Sequence, residues 1–149
     1  MRIATCLLAA SVFCSSAFAE DGLVQVQSAH DVATTADRLE QVLQKKGMKI
    51  FARINHAAGA ATVDKELPPT ELVIFGNPKV GAPLMLCSRS TGIDLPQKAL
   101  IWQDGQGATW FSYNDPQYLK SRHDIQGCDP VLEKVSHALK NFAAAATAK

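Results

Sequence analysis

Two runs rich in apolar residues, "LPQKALIWQD" (95–104) and "ATWFSYND" (108–115), stand on either side of Gly105-Gln106-Gly107. Asp104-Gly105 is a short-range hairpin signal, because tight β-turns need residues that tolerate positive φ. A hairpin commits the chain to antiparallel pairing. An antiparallel sheet buries one face on a second layer, so the rest of the chain must supply that layer.

The remaining elements fit this demand. "GLVQVQSA" (22–29) alternates apolar and polar residues as a half-buried strand does. "SAHDVATTADRLEQVLQKKG" (28–47) reads as a helix with Ser28 as its N-cap and Asp31 three residues on. Its apolar stripe is Val32, Ala36, Leu39 and Leu43; Lys45 and Lys46 suit the C-terminal dipole, and Gly47 ends it. "MKIFARINH" alternates again, which puts Ile50, Ala52, Ile54 and His56 on one side of a strand. "AAGAATVDKELPPT" is a loop beginning with a helical turn, and "ELVIFG" (71–76) is a central strand. "PQYLKSRH" is a short helix opened by Pro116. A C-terminal helix over 130–143 follows, capped by Asp129, with Val131, Val135, Leu139 and Phe142 on its inner side. The final "AAAATAK" is expected to fray. The order predicts an α+β fold: a mostly antiparallel five-stranded sheet with helices on one face. The face left bare needs a cover. Trp102, Trp110, Phe111 and Tyr113 lie on the last two strands, so a homodimer is expected.

The first residues, "MRIATCLLAASVFCSSAFAE", combine Arg2, an apolar run from Ile3 to Phe13 and the small-x-small site Ala17-Phe18-Ala19. This pattern predicts a signal peptide over 1–19, cleaved after Ala19, and a periplasmic or secreted single domain over 20–149. Lipidation at Cys14 is disfavoured by the bulky Phe13 before it. Cleavage removes only Arg2 among the charges, so Lys+Arg falls from 15 to 14 against 14 Asp+Glu. A neutral domain has no field to gather nucleic acid or anionic lipid, so neither nucleic acid nor membrane is an expected partner. Cys6 and Cys14 leave with the signal. Cys87 and Cys128 remain, and in an oxidising compartment they are expected to pair, contributing about 4 kcal/mol in the chain-entropy picture.

"FGNPKVGAPLMLCS" (75–88) marks a corner. Gly76 permits an unusual backbone angle, Asn77 caps, and Pro78 suits the first helical position, with Gly81 and Pro83 suggesting a restart. A helix start beside glycine presents free amides to an anion. "ELVIFGNPKVGAPLM", "DLPQKALIWQD" and "WFSYNDPQYLKSRH", with "FARINHAAGA" before them, resemble the bacterial domain-of-unknown-function family 302 from about residue 24 to about residue 126. The family often has aspartate before the histidine, where this chain has Asn55. The resemblance implies a compact α+β domain of the TATA-binding-protein-like class that pairs into homodimers. It implies no reaction.

Polar residues within those motifs are His56, Asn77, Asp94, Lys98, Tyr113, Asn114, Asp115 and His123. Asn114 and Asp115 read as caps for the helix at Pro116. Lys98 alternates with Leu100 and Trp102, and a salt bridge to Glu71 or Asp94 is its expected fate. His30 and His137 read as solvent-facing. The expected site gathers His56, Asn77, Lys98, Tyr113 and His123 around the corner, holding a small anionic molecule in a non-enzymatic binding or sensory module. One alternative is an acid–base enzyme using His56 or His123 with Lys98 or Tyr113. Another is a copper, zinc or redox handler in which Met85 and Cys87 join the histidines. No metal-ligand spacing supports that set, so neither metal nor cofactor is expected. G-x-S-x-G, H-E-x-x-H, C-x-x-C and the P-loop motif are missing from the sequence.

Overall fold

The computed structural model describes residues 22–149 and the backbone of Ala19–Glu20. Apart from Ala19, the expected signal segment lies outside the described residues. Five strands form one antiparallel sheet: β2 (Leu23–Gln27), β3 (Lys49–Asn55), β4 (Thr70–Gly76), β5 (Gln97–Gln103) and β6 (Thr109–Asn114). They lie in the order β2-β6-β5-β4-β3, and a two-residue strand β1 (Ala19–Glu20) is added beyond β2. Five helices accompany them: α1 (Val32–Lys45), α2 (His56–Ala61), α3 (Pro78–Cys87), α4 (Pro116–Arg122) and α5 (Asp129–Thr147). The expected α+β class and antiparallel sheet are what the chain adopts.

The hairpin joins β5 to β6 in the register Gln103↔Thr109. Its positive φ falls at Gly107 (+83°) rather than at Gly105. Asp104 holds the loop: its carboxylate accepts from the amides of Gln106 and Ala108 (both 2.9 Å) and from the Trp110 indole (2.7 Å). The Trp110 bond, first among these, keeps that carboxyl below its ordinary range.

Pleating sorts the sheet into two unlike faces. Val73, Phe75, Ala99, Ile101, Phe111 and Tyr113 are buried beneath α1 and α5. The stripe Val32, Ala36, Leu39 and Leu43 meets them from α1, and Leu132, Val135, Leu139 and Phe142 from α5. Each buried Val, Leu, Ile or Phe side chain among them is worth about 1.5–3 kcal/mol against exposure. Phe75 meets Phe142 edge-on at 6.0 Å. The open face carries Leu72, Ile74, Leu100 and the directly paired Trp102 and Trp110, all partly exposed. Phe111 and Tyr113 therefore belong to the core, and only the two tryptophans remain for a partner.

Several local expectations are corrected by packing. The N-cap of α1 is Asp31, whose Oδ1 accepts from Thr34 N at 2.7 Å; Ser28 instead accepts from His30 N and bonds Thr35. In β3 the register slips between Ile50 and Ala52, with Phe51 as the extra residue. This bulge flips the side-chain parity. Arg53 then turns toward α1, where it bonds Glu71 and Asp37 (both 2.5 Å), while Ile54 is left 40% exposed. Pro83 lies inside a continuous α3 and does not interrupt it. The alanine-rich end is not frayed. Ala143, Ala146 and Thr147 are buried, and Arg38 donates to the carbonyls of Ala145, Ala146 and Ala148 (2.9–3.0 Å). Small side chains allow α5 to approach α1 closely, and the guanidinium satisfies carbonyls left free at the helix end. His30 likewise bonds the Ala148 carbonyl at 2.8 Å.

Candidate functional site

Where β4 ends, α3 rises away from the sheet and leaves a cleft of about 510 Å³. Gly76 is glycine for a reason other than backbone angle: its φ is not positive, but an added Cβ would lie 3.3 Å from Pro96 Cβ and 3.6 Å from the Phe51 ring. Close approach explains it. Asn77 caps α3 by accepting from Lys79 N at 2.9 Å, with Pro78 as the first helical residue. Phe75, Leu84, Leu139 and Phe142 line the cleft, with Phe51 and Met85 at 46% and 38% exposure. Lys46, Lys79 and Lys134 also line it, and the lining contains no acid. Gln97 contributes a buried Nε2 with no hydrogen-bond partner. A disulfide between Cys87 and Cys128, with Cα atoms 6.5 Å apart, ties the last residue of α3 to the start of α5. The helix that roofs the cleft is thus anchored at its far end.

Of the five expected site residues, only Asn77 reaches this cleft. His56 opens α2, capped by Asn55, and is exposed at the opposite end of the sheet, since Asn55 pairs with Glu71 while Gly76 ends β4 at the cleft. Lys98 curls on the open face and donates to the carbonyls of Asp94 (2.7 Å) and Pro96 (3.1 Å), not to a carboxylate. Glu71 is spent on Arg53 on the other face. Tyr113 sits in the core against Phe111, and burial, then the Asp115 charge, pushes its phenol above the ordinary range. Among the described residues no three His, Cys, Asp or Glu side chains converge as metal ligands, and Cys87 is bonded to Cys128.

His123 belongs to a second cluster. Its Nε2 lies 2.5 Å from Asp94 Oδ2 and its Nδ1 2.9 Å from Ser90 Oγ, with only 5% of the side chain exposed. Arg122 Nε is 3.5 Å from the same carboxylate oxygen. Ser88 Oγ donates to the His123 carbonyl at 2.9 Å and lies 3.1 Å from Ser90 Oγ. A carboxylate that accepts a hydrogen bond from Nε2–H leaves Nδ1 free to accept from Ser90, the order of an activated hydroxyl. Ser88 and Ser90 carry no sequence signal, because nothing local distinguishes them from other loop serines. The cleft lysines were equally hidden: Lys46 reads as a helix-end charge, and nothing local marks Lys79 or Lys134.

Residues 24–142 match the family described as Domain of unknown function DUF302. The chain belongs to that family. The match runs beyond residue 126 and takes in most of α5. A solved structure, the uncharacterized conserved protein DUF302 from Bacillus stearothermophilus, superposes with a TM-score of 0.67 at 20% identity, covering 85% of this chain and 95% of that one. At that identity the likeness concerns the fold. This DUF302 chain is also 47% identical over 106 residues to proteins called fluoride-specific ion channel FluC 1 in Brucella suis and Brucella abortus. The matched segment is 71% of this chain but spans only 42% and 39% of those relatives.

Proposed function

We propose that this DUF302 domain is a non-enzymatic binding or sensory module that holds a small molecule in the cleft under α3, working outside the cytoplasm as a homodimer. The observation that carries the binding reading is the apolar cleft at the Gly76-Asn77-Pro78 corner, of a size typical for small-molecule sites. The signal-like leader and the Cys87–Cys128 disulfide support export. The open face with Trp102 and Trp110, together with the dimers implied by family resemblance, supports a second copy of the chain. From the Brucella proteins we take only that a segment like this one can be part of a longer protein. Among the described residues no helix is long and apolar enough to cross a membrane.

The binding reading is tested with phenylnaphthylamine, a neutral apolar fluorophore. Bound probe should brighten and blue-shift, and Ala82→Trp, which fills the cleft from an exposed lining position, should abolish the signal. No binding, or binding that survives Ala82→Trp, overturns it. For the dimer, sedimentation should show a two-chain species that Trp102→Asp converts to monomer; a monomeric parent chain ends that part.

The Asp94–His123–Ser90 cluster favours a second reading, an acyl-transfer enzyme. Ser90 Oγ would add to an acyl carbonyl as its proton passes to His123 Nδ1 and the π pair moves to the carbonyl oxygen; collapse would then expel the leaving group, which takes that proton from His123. A fluorophosphonate probe should then label Ser90 and fail on Ser90→Ala. An unlabelled parent protein removes this reading.

A further inference from the structure

Resting on the binding reading of the cleft, we infer that the ligand is an amphipathic anion: an apolar body seated on the cleft floor, with a carboxylate, sulfonate or phosphate group at the lysine rim. Three ammonium groups, Lys46, Lys79 and Lys134, come from the end of α1, the start of α3 and the first turns of α5. Non-local packing alone brings them to one opening. No acid lies among the lining residues, and among the described residues none of the three lysines forms an ion pair. With Lys+Arg at 15 and Asp+Glu at 14 in the whole chain, one opening with three cations and no anion is a local excess. Like charges repel, and long flexible stems let all three heads turn toward an anion while their methylenes cover apolar surface.

Below the rim the walls offer Leu84, Leu139 and Phe142, which bind hydrocarbon and exclude water. A free inorganic anion would leave that floor empty, and a neutral hydrocarbon would leave the lysines unanswered. Only a molecule carrying both parts uses the whole site.

Phenylnaphthylamine and anilinonaphthalene sulfonate share one aromatic body and differ by a sulfonate, so they separate the two claims. In low salt the sulfonate should bind the parent protein about tenfold tighter than the neutral probe, an advantage that screening removes at high salt. In the triple variant Lys46→Gln, Lys79→Gln, Lys134→Gln that advantage, read as the ratio of the two affinities so that packing lost with the shorter stems cancels, should collapse to within about twofold. All three lysines are exposed, and circular dichroism checks that the variant keeps its fold. Equal affinity of both probes for the parent protein, or a sulfonate advantage that persists in the folded triple variant, overturns the anion inference while leaving the cleft reading intact. Failure of both probes, or binding indifferent to Ala82→Trp, overturns the cleft reading instead.

Discussion

Reducing the Cys87–Cys128 bond tests how the cleft roof is held. The bond closes a sequence separation of 41 residues. Constraint of the unfolded chain over such a loop is worth about 4 kcal/mol. Total stabilities of small domains are about 5–15 kcal/mol, so the loss is a large share. With a urea slope of about 2 kcal/mol per molar, the unfolding midpoint should fall by roughly 2 M. Cys87 is exposed, so a phosphine reductant has access from the α3 side. Tryptophan fluorescence from Trp102 and Trp110, both on the sheet, reports unfolding, and the Cys87→Ser, Cys128→Ser double variant separates loss of the bond from effects of the reductant. Because α3 roofs the cleft and ends at Cys87, phenylnaphthylamine should also bind the reduced protein more weakly. Coincident urea curves for oxidised and reduced protein, or two titratable thiols in protein recovered from an oxidising compartment, would refute the reasoning.

Other perturbations address single packing claims. Gly76→Val places branches where a lone Cβ already meets Pro96 at 3.3 Å, and overpacking of this kind should cost about 1–3 kcal/mol in thermal or urea unfolding, with Gly76→Ala milder. Arg38→Ala removes three bonds to the end of α5; a loss of about 1–2 kcal/mol is expected, with faster hydrogen exchange confined to the last turn of that helix. Tyr113 has its pKa raised in the folded protein, chiefly by burial. The folded state holds the phenolic proton more tightly, so stability is full below the unfolded value of 10.0 and declines as pH climbs past it toward the folded pKa. Tyr113→Phe should flatten that alkaline decline; an unchanged slope would count against the burial argument.

Much of the architecture was legible because its causes are local. The stripe at Val32, Ala36, Leu39 and Leu43 follows from helical period, and the caps Asn77 and Asp115 each answer amides two residues away. The hairpin was written in Asp104 and its glycines. Ser28 misled as a cap because Asp31, a better-placed acceptor, competes within the same turn. The alanine tail misled because composition alone does not reveal that Arg38 caps it from another helix. The bulge at Phe51 was missed although Ile50-Phe51-Ala52 interrupts the alternation, because one apolar residue out of phase does not by itself reveal a slipped register.

Neighbour-to-neighbour chemistry thus determined which segments coil, extend or turn, the single possible pairing of the two later cysteines, and the glycine-asparagine-proline corner where the cleft opens. Tertiary packing alone decided which side chains share a space. It set Lys46, Lys79 and Lys134 around one mouth, and carried His123 to Ser90 and Asp94 while leaving His56 at the other end of the sheet. The physical reason is range. Periodicity and capping act over a few residues, whereas a site is an agreement among segments that meet only after the apolar faces have found each other.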